Sequence, residues 1–523
     1  MRTSGGRVAI IGAGLSGTAL AIQLLRRPGG PVTLIERSGA FGPGLAYGTS
    51  CERHLLNVRS GRMSLLPDQP DHFTRWLAGA GLSADPDDFA RRADYGRYIR
   101  HCLAEAEAGA PGRLSRVTGE VVELRPEAGG AVLRFADGRR RAAEQVVLAT
   151  GNPAPGRLPL SGLDDAGARH LPDPWALDAL AAIDTDDEVL LIGTGLTAVD
   201  VLLALEAQGW RGRALAISRR GLLPRTHGPQ KEDGSEPEAG GPVPHGPLSS
   251  RVRQVRRRSR AAPWTAVMDE LRPYGQALWL QAAPVERRRF LRHLRPWWDV
   301  HRHRMAPRIG AAVEQLRAEG RLDARAGRLL SVEAGGGRLQ VRWRPRGSCV
   351  AETARVGWIV NCTGPEADPS RTGEPLLGAL LSDGTVRADP LRLGLDVDAC
   401  GRVLDAESRP VPHLWALGPP TRGALWEIVA VPEIRAAAAA LAAQLSPQTK
   451  RAGAAVPCAH LDDVGETYRE HMGVAFWFGG RMLTAGAACM IHGVAPWLFT
   501  KTASRTITEL HDRMVTNRSR PRR

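Results

Sequence analysis

VAIIGAGLSG at residues 8–17, continued by TALAIQLL to residue 25 and, after a PGGP turn, by VTLIE at 32–36, decides the fold. The apolar run before Gly12 reads as a buried strand, the glycines as a tight turn, and the next stretch as an apolar helix returning to a second strand. This is a βαβ unit with a G-x-G-x-x-G loop at its first turn. Such a loop lets a pyrophosphate approach backbone amides at a helix N-terminus. Gly12 makes the turn, Gly14 removes the side chain that would face the phosphates, and Gly17 lets the helix press on the strand. Leu15 and Ser16 open the helix. Glu36 ends the second strand, where a carboxylate can bond both hydroxyls of a ribose.

Working outward, the pattern recurs. VLLIG at 189–193 reads as a strand, TGLTAVDVLLALEAQG as turn and helix, and ALAISRR at 214–220 as the next strand. Each βαβ unit is followed by short alternating segments closing on an apolar strand that ends in Thr-Gly: GEVVEL, AVLRF and QVVLATG in the first half; GRLLSVEA, RLQVRWRP and WIVNCTG in the second. A duplication of this length is far harder to obtain by chance than one motif. In the second loop, Gly193, Thr194, Gly195 and Thr197 are followed by Ala198, which is small enough for the third glycine's place. Its downstream strand carries Ser218, Arg219 and Arg220 instead of a carboxylate, which suits a 2′-phosphate. The first site is therefore read as FAD and the second as NADPH; the alternative for the arginines is a solvated strand end.

The fold class expected is α/β: a two-dinucleotide-binding flavoprotein in which a Rossmann-like NADPH domain is inserted into a Rossmann-like FAD domain, both with β-meanders. The FAD domain spans 1–185 and 345–447. The NADPH domain spans 186–344 and carries a helical subregion at 248–320, where Leu291, Leu294, Trp297 and Trp298 recur at helical spacing and are expected to share a buried side. The stretch from the first βαβ unit to about residue 110 reads as loop-rich, and 226–247, rich in Gly, Pro and Glu, as a surface loop. An alanine-rich helix ends near residue 445.

The composition, 43% hydrophobic and 24% charged, is that of a globular chain. The formal charge is +15, yet only Lys231, Lys450 and Lys501 are lysines, and the arginines are spread along the whole length. This argues against nucleic-acid binding, which needs clustered charge or interleaved aromatics. Seven cysteines without CxxC or zinc-type spacing fit reduced thiols. MRTSGGR has no apolar core of a secretory signal, and a cytoplasmic location is expected. Asp299, His301 and His303 do not make a metal site, because i,i+2 side chains diverge on a helix and no third ligand is near.

GPGLAYGTSCERHLLNVRSGRMSLLPDQPDHFTRWL at 42–77, RPWWDVHRHRMAP and ALWEIVAVPEIRAAA together resemble the FAD/NAD(P)-binding family that includes a bacterial FAD-dependent urate hydroxylase and amino-acid N-hydroxylases of the aspartate N-monooxygenase type. The resemblance covers roughly residues 5–445. It implies that Gly44–Tyr47, with Ala46, and His54–Met63, with Asn57 and Val58, line the flavin, and that Gly423–Val431 pass beside its ring system. Arg37, Val122, Thr150, Gly151 and Gly418 complete the expected FAD set. Asn57, Trp426 and Glu427 are the tentative catalytic set; Trp426 reads equally well as a packed aromatic. One departure is Pro419, which follows Gly418 where related flavoproteins have an aspartate for the ribityl chain. The activity implied is flavin monooxygenation: NADPH reduces FAD, and the reduced flavin uses dioxygen to hydroxylate a small polar substrate. Alternatives are an NADPH-dependent reductase or oxidase, and a non-catalytic redox-sensing module.

After residue 450 the composition shifts. Residues 455–523 resemble a small uncharacterised domain family, and Met482–Thr500 holds no formally charged residue. Gly486, His492, Gly493 and Pro496 favour a pair of buried helices broken at the proline over membrane association.

Overall fold

The structure is a computed structural model that describes residues 6–176, 178–228, 242–446 and 468–511. Contacts divide the chain into two units, residues 1–448 and 449–523.

The first unit opens with β1 (Val8–Ile11), α1 (Leu15–Leu25) and β2 (Val32–Glu36), then α2 (Gly44–Tyr47), α3 (His72–Gly79) and α4 (Arg92–Ala108). Next come β3 (Leu114–Thr118), the strands β4 (Val121–Glu127), β5 (Gly130–Phe135) and β6 (Arg140–Ala143), and β7 (Gln145–Leu148). After a short β8 (His170–Leu171), the second βαβ unit is β9 (Val189–Ile192), α5 (Leu196–Ala207) and β10 (Ala214–Ser218). Six helices follow: α6 (Leu248–Ala261), α7 (Trp264–Leu271), α8 (Gly275–Gln281), α9 (Pro284–His293), α10 (Arg295–Arg302) and α11 (Pro307–Ala318). The chain then forms β11 (Leu322–Gly335), β12 (Arg338–Pro345), β13 (Glu352–Val356), β14 (Trp358–Asn361), α12 (Pro375–Ser382), β15 (Arg402–Leu404), β16 (Pro410–Ala416) and α13 (Val431–Leu445).

Two sheets carry the unit. The first runs β15-β16-β7-β1-β2-β3, and the second β13-β12-β11-β10-β9-β14-β8. In each, the strand before the glycine loop is central: β1 pairs in parallel with β2 and β7, β9 with β10 and β14. Such strands are covered on both faces, which is why VAII and VLLI are apolar without alternation. The long β11 serves two roles. Its start pairs in parallel with β10 and its remainder pairs with β12, with an irregularity at Leu329/Ser331. The strands β4-β5-β6 form a separate three-stranded sheet.

Two expectations are corrected. The stretch read as loop-rich contains α3, α4 and the end of its connection to β3. In α4, Tyr95, Tyr98, Ile99, Cys102 and Leu103 are buried at helical spacing against α1. Trp297 does not share a buried side with its neighbours: it is 42% exposed, because the helix breaks between α9 and α10 at Leu294 and changes direction. Most of the surface-loop stretch, 229–241, lies outside the described residues.

In the second unit, α14 (Tyr468–Val494) and α15 (Thr502–His511) form a helical pair with Pro496 in the connection, joined by an Arg481–Glu509 ion pair. Burial of both helices is not borne out: Phe476, Leu483, Met490 and Trp497 are exposed. Among the described residues, no helix is long and apolar enough to cross a membrane.

Candidate nucleotide sites

The two glycine loops are near-copies. Gly12 has φ +100° and Gly193 φ +118°, a region that favours glycine. A Cβ on Gly12 would lie 2.3 Å from the Ala149 carbonyl oxygen, and one on Gly193 2.4 Å from that of Cys362. The Gly12 amide donates to Ile35 at 2.9 Å and the Gly193 amide to Ile217 at 2.8 Å. Gly14 caps α1 with φ −70°, ψ −167°, and Gly195 caps α5 with φ −85°, ψ −169°. Neither helix start has a side-chain cap, so its first amides remain available to an external acceptor.

Space matches that role. A Cβ on Gly17 would come 1.9 Å from the Gly12 carbonyl oxygen, so Gly17 is required by the fold. A Cβ on Gly14 would meet only Gly44 Cα at 3.6 Å, and one on Gly195 would meet nothing within 4 Å. Gly14 and Gly195 thus keep space clear that the protein does not fill. These are cradles that fit a dinucleotide pyrophosphate.

Around the first loop, Glu36 Oε2 accepts from the Ala13 amide at 2.9 Å, and Oε1 from the Ser38 amide and hydroxyl at 3.1 and 2.9 Å. This holds the carboxylate at the loop. Leu15 is partly buried and Ser16 is buried. A Cβ on Gly418 would lie 2.2 Å from Ser16 Oγ, so the end of β16 reaches the start of α1 only because residue 418 is glycine. Gly44, at φ +55°, crosses above Gly14, with Ala46 exposed. Tyr47 packs edge-on against Tyr95 at 4.8 Å. Val58 is partly buried, and Met63 is fully buried with its carbonyl accepting from the Tyr95 hydroxyl at 2.8 Å. Val122 sits at an irregularity in the pairing of β4 with β5, between Val121 and Glu123. Arg37 is taken up by Glu374 at 3.0 Å and Glu120 at 3.7 Å. Thr150 and Gly151 line a cleft shared with Pro419 and Arg422.

At the second loop, Thr194 Oγ1 lies 2.8 Å from Ser218 Oγ and donates to the Leu222 carbonyl at 2.6 Å; Ser218 Oγ also accepts from the Gly221 amide. These side chains shape the loop. Thr197 lies in the first turn of α5. Arg219 is exposed, and Arg220 rests over Trp297 at 5.9 Å with a hydrogen bond to the His293 carbonyl. The exposed Trp297 thus serves as a platform beside the second loop.

The tentative catalytic residues fall in two places. Asn57 is partly buried, and its carbonyl accepts from His227 Nε2 at 3.1 Å. Burial pushes His227 down to about 4. Trp426 and Glu427 lie under the helical region: Trp426 stacks on Trp279 at 4.7 Å with Phe290 at its edge, and Glu427 pairs with Arg302 at 2.7 Å, both side chains buried. Trp279 Nε1 and Gln276 Nε2 donate to the Gly423 and Ala424 carbonyls, tying α8 to this loop. His301 Nδ1 is engaged by the Trp297 carbonyl at 2.7 Å.

One joint escaped the sequence reading. Arg92 of α4 holds Asp200 of α5 through bonds of 2.7 and 3.1 Å, and His54 Nε2–H donates to the Asp200 carbonyl at 2.9 Å while Nδ1 accepts from Thr49. α4 and the loop at 49–54 are thereby tied to α5, the helix that follows the second glycine loop. A conserved-looking spacing cannot reveal a bond between residues 92 and 200.

Comparison with known families decides the nature of the first half. Residues 9–153 match the family model described as FAD-NAD(P)-binding. The chain carries an FAD-NAD(P)-binding domain. Residues 456–518 match a family of unknown function. No curated protein sequence matches significantly. Among solved structures, the reduced form of ornithine hydroxylase from Pseudomonas aeruginosa is similar at 17% identity, over 84% of this chain and 99% of its own, with a TM-score of 0.58. The ornithine N-hydroxylase of Kutzneria sp. 744, solved with reduced FAD, NADP+ and L-ornithine, shares 14% identity over 84% of this chain and 99% of its own, with a TM-score of 0.57. The FAD-bound cadaverine monooxygenase of Erwinia amylovora shares 13% identity over 86% and 98%, with a TM-score of 0.58. The FAD-NAD(P)-binding domain therefore belongs to a two-dinucleotide-binding flavoprotein fold.

Proposed function

We propose that this protein is an FAD-dependent, NADPH-using monooxygenase that hydroxylates a small polar substrate. The observation that carries the reading is the repeated, uncapped glycine start of α1 and α5, each on its own parallel sheet. One such start seats a dinucleotide; two, in one compact unit, suit a hydride donor and its acceptor. Several solved structures sharing the fold are hydroxylases or monooxygenases of small amines and amino acids by their printed names, which supports the oxygen-inserting reading.

In this reading the sheet built around β1 seats FAD, with Gly12, Gly14 and Gly17 at its pyrophosphate and Glu36 at its ribose. The sheet built around β9, which takes in β8 at 170–171 and β13 and β14 at 352–361 beyond the expected bounds of 186–344, seats NADPH, with Gly193 and Gly195 at the pyrophosphate and Arg219 and Arg220 at the 2′-phosphate. Bound FAD supplies the chemistry, taking hydride from NADPH and activating dioxygen. The protein positions and shields. The aromatic cluster of Trp279, Phe290, Trp298 and Trp426 keeps water from the loop at 423–427, and Arg302 fixes the Glu427 carboxylate there. Tight coupling of NADPH use to a product one oxygen heavier, found by screening small amines and amino acids, is the expected result. Hydrogen peroxide formed one for one with NADPH under every substrate would instead make the protein an oxidase.

A further inference from the structure

The cleft that Thr150 and Gly151 share with Pro419 is lined by three charged residues, Glu366, Glu374 and Arg422. Two are answered: Glu366 faces Arg371 at 3.6 Å, and Glu374 faces Arg37 at 3.0 Å. Charges behind the cleft are also matched, Arg302 with Glu427 at 2.7 Å, Arg272 with Glu433 at 3.5 Å and Arg295 with Asp299 at 3.4 Å. Arg422 is different. Its side chain has neither an ion pair nor a hydrogen bond among the described residues, and its Nε is buried without an acceptor. It is held in place all the same, with the guanidinium 4.8 Å above the Trp426 ring, which itself is stacked on Trp279.

The residue is half-buried, with Nε enclosed and no acceptor supplied to it by the described residues, and burial pulls Arg422 down to about 10. Glu427 and Asp299 act on it only at a distance. Cation–π contact with Trp426 offsets a part of that cost and fixes the planar fork, but supplies no acceptor. The cleft that Arg422 lines is where a ligand acceptor can reach it.

We propose that Arg422 is the anion receptor of this cleft, its guanidinium receiving a planar negatively charged group brought in by a ligand. Two sources share that chemistry. One is the pyrimidine edge of reduced FAD, which carries negative charge once the flavin has accepted hydride; the other is a carboxylate of the substrate. The inference rests on the FAD seat proposed above, since Thr150 and Gly151 border the same cleft. In the second case Arg422 discriminates by charge, so the cleft favours an anionic ligand over a diammonium compound.

The test uses the full chain loaded with FAD, and its Arg422→Met and Arg422→Lys variants. The midpoint potential of the bound flavin is measured by dye equilibration. Benzoate, and its neutral counterpart benzamide, are titrated against the oxidised flavin spectrum. A fall of the potential in R422M, largely restored in R422K, assigns the anion to reduced FAD. Benzoate binding weakened roughly tenfold or more in R422M, with benzamide unchanged and the potential unmoved, assigns it to a substrate carboxylate. If R422M retains FAD and changes neither the potential nor the benzoate-to-benzamide preference, the inference fails while the FAD seat stands. If R422M does not load FAD, the same two readouts on R422K and Arg422→Gln decide. Failure of the unsubstituted chain to bind FAD would instead overturn the functional reading beneath it.

Discussion

Gly195→Ala separates a nucleotide cradle from a structural turn. The added Cβ meets nothing within 4 Å, and φ −85° is open to alanine. Losing a glycine helix cap for alanine costs up to about 1 kcal/mol, while the less flexible unfolded chain returns about 0.4–1 kcal/mol. The terms nearly cancel, so melting should shift by only a few degrees. A pyrophosphate seated on the helix start would collide with the new methyl. Forfeiting one charge-assisted amide bond costs about 1.5–3 kcal/mol, or roughly 10- to 100-fold in affinity. The assay is the NADPH dependence of flavin reduction under anaerobic conditions, beside a thermal melt. Gly14→Ala, whose Cβ would meet Gly44 Cα at an ordinary 3.6 Å, should do the same to FAD retention. Gly17→Ala is the contrast: its Cβ falls 1.9 Å from a backbone oxygen, so that variant should lose fold and FAD together. An unchanged NADPH constant in a folded Gly195→Ala protein would refute the cradle.

Further outcomes follow from the same geometry. Replacing both Arg219 and Arg220 by alanine should weaken NADPH roughly tenfold or more while sparing NADH, measured as the ratio of the two reduction constants. Glu427→Ala leaves the buried Arg302 uncompensated and should cost about 3–5 kcal/mol in denaturant unfolding, more than either exposed arginine change. His227 titrates near 4 when folded and near its ordinary 6.5 when unfolded, so the unfolded chain binds the extra proton between those values. Its contribution is complete above 6.5 and lost as pH falls toward 4; His227→Gln should flatten that part of the stability curve.

How far the sequence could be read depends on the range of the interactions. Gly12 and Gly193 are legible because the turn itself takes a positive φ, Gly17 because its Cβ would strike the Gly12 carbonyl five residues back, and the strands around them because burial on both faces writes an unbroken apolar run. α4 was not: its buried Tyr95, Tyr98, Ile99 and Cys102 are interspersed with Gly96, Arg97 and Arg100, which dilute the periodicity. Trp297 was misjudged because helical spacing was carried through Leu294, where the helix turns. The Arg92–Asp200 joint and the unanswered Arg422 depend on residues far apart in the chain, and no local pattern announces either. The phosphate-facing role expected of Gly14 is matched by the open space beside it, and Gly195 has the same opening.

The most direct measurement of the central claim is anaerobic mixing of the FAD-loaded chain with NADPH, followed by the absorbance of the oxidised flavin. The account predicts complete bleaching, faster with NADPH than with NADH, and displaced to roughly 10- to 100-fold higher NADPH by Gly195→Ala. FAD that stays oxidised in the presence of saturating NADPH would contradict it.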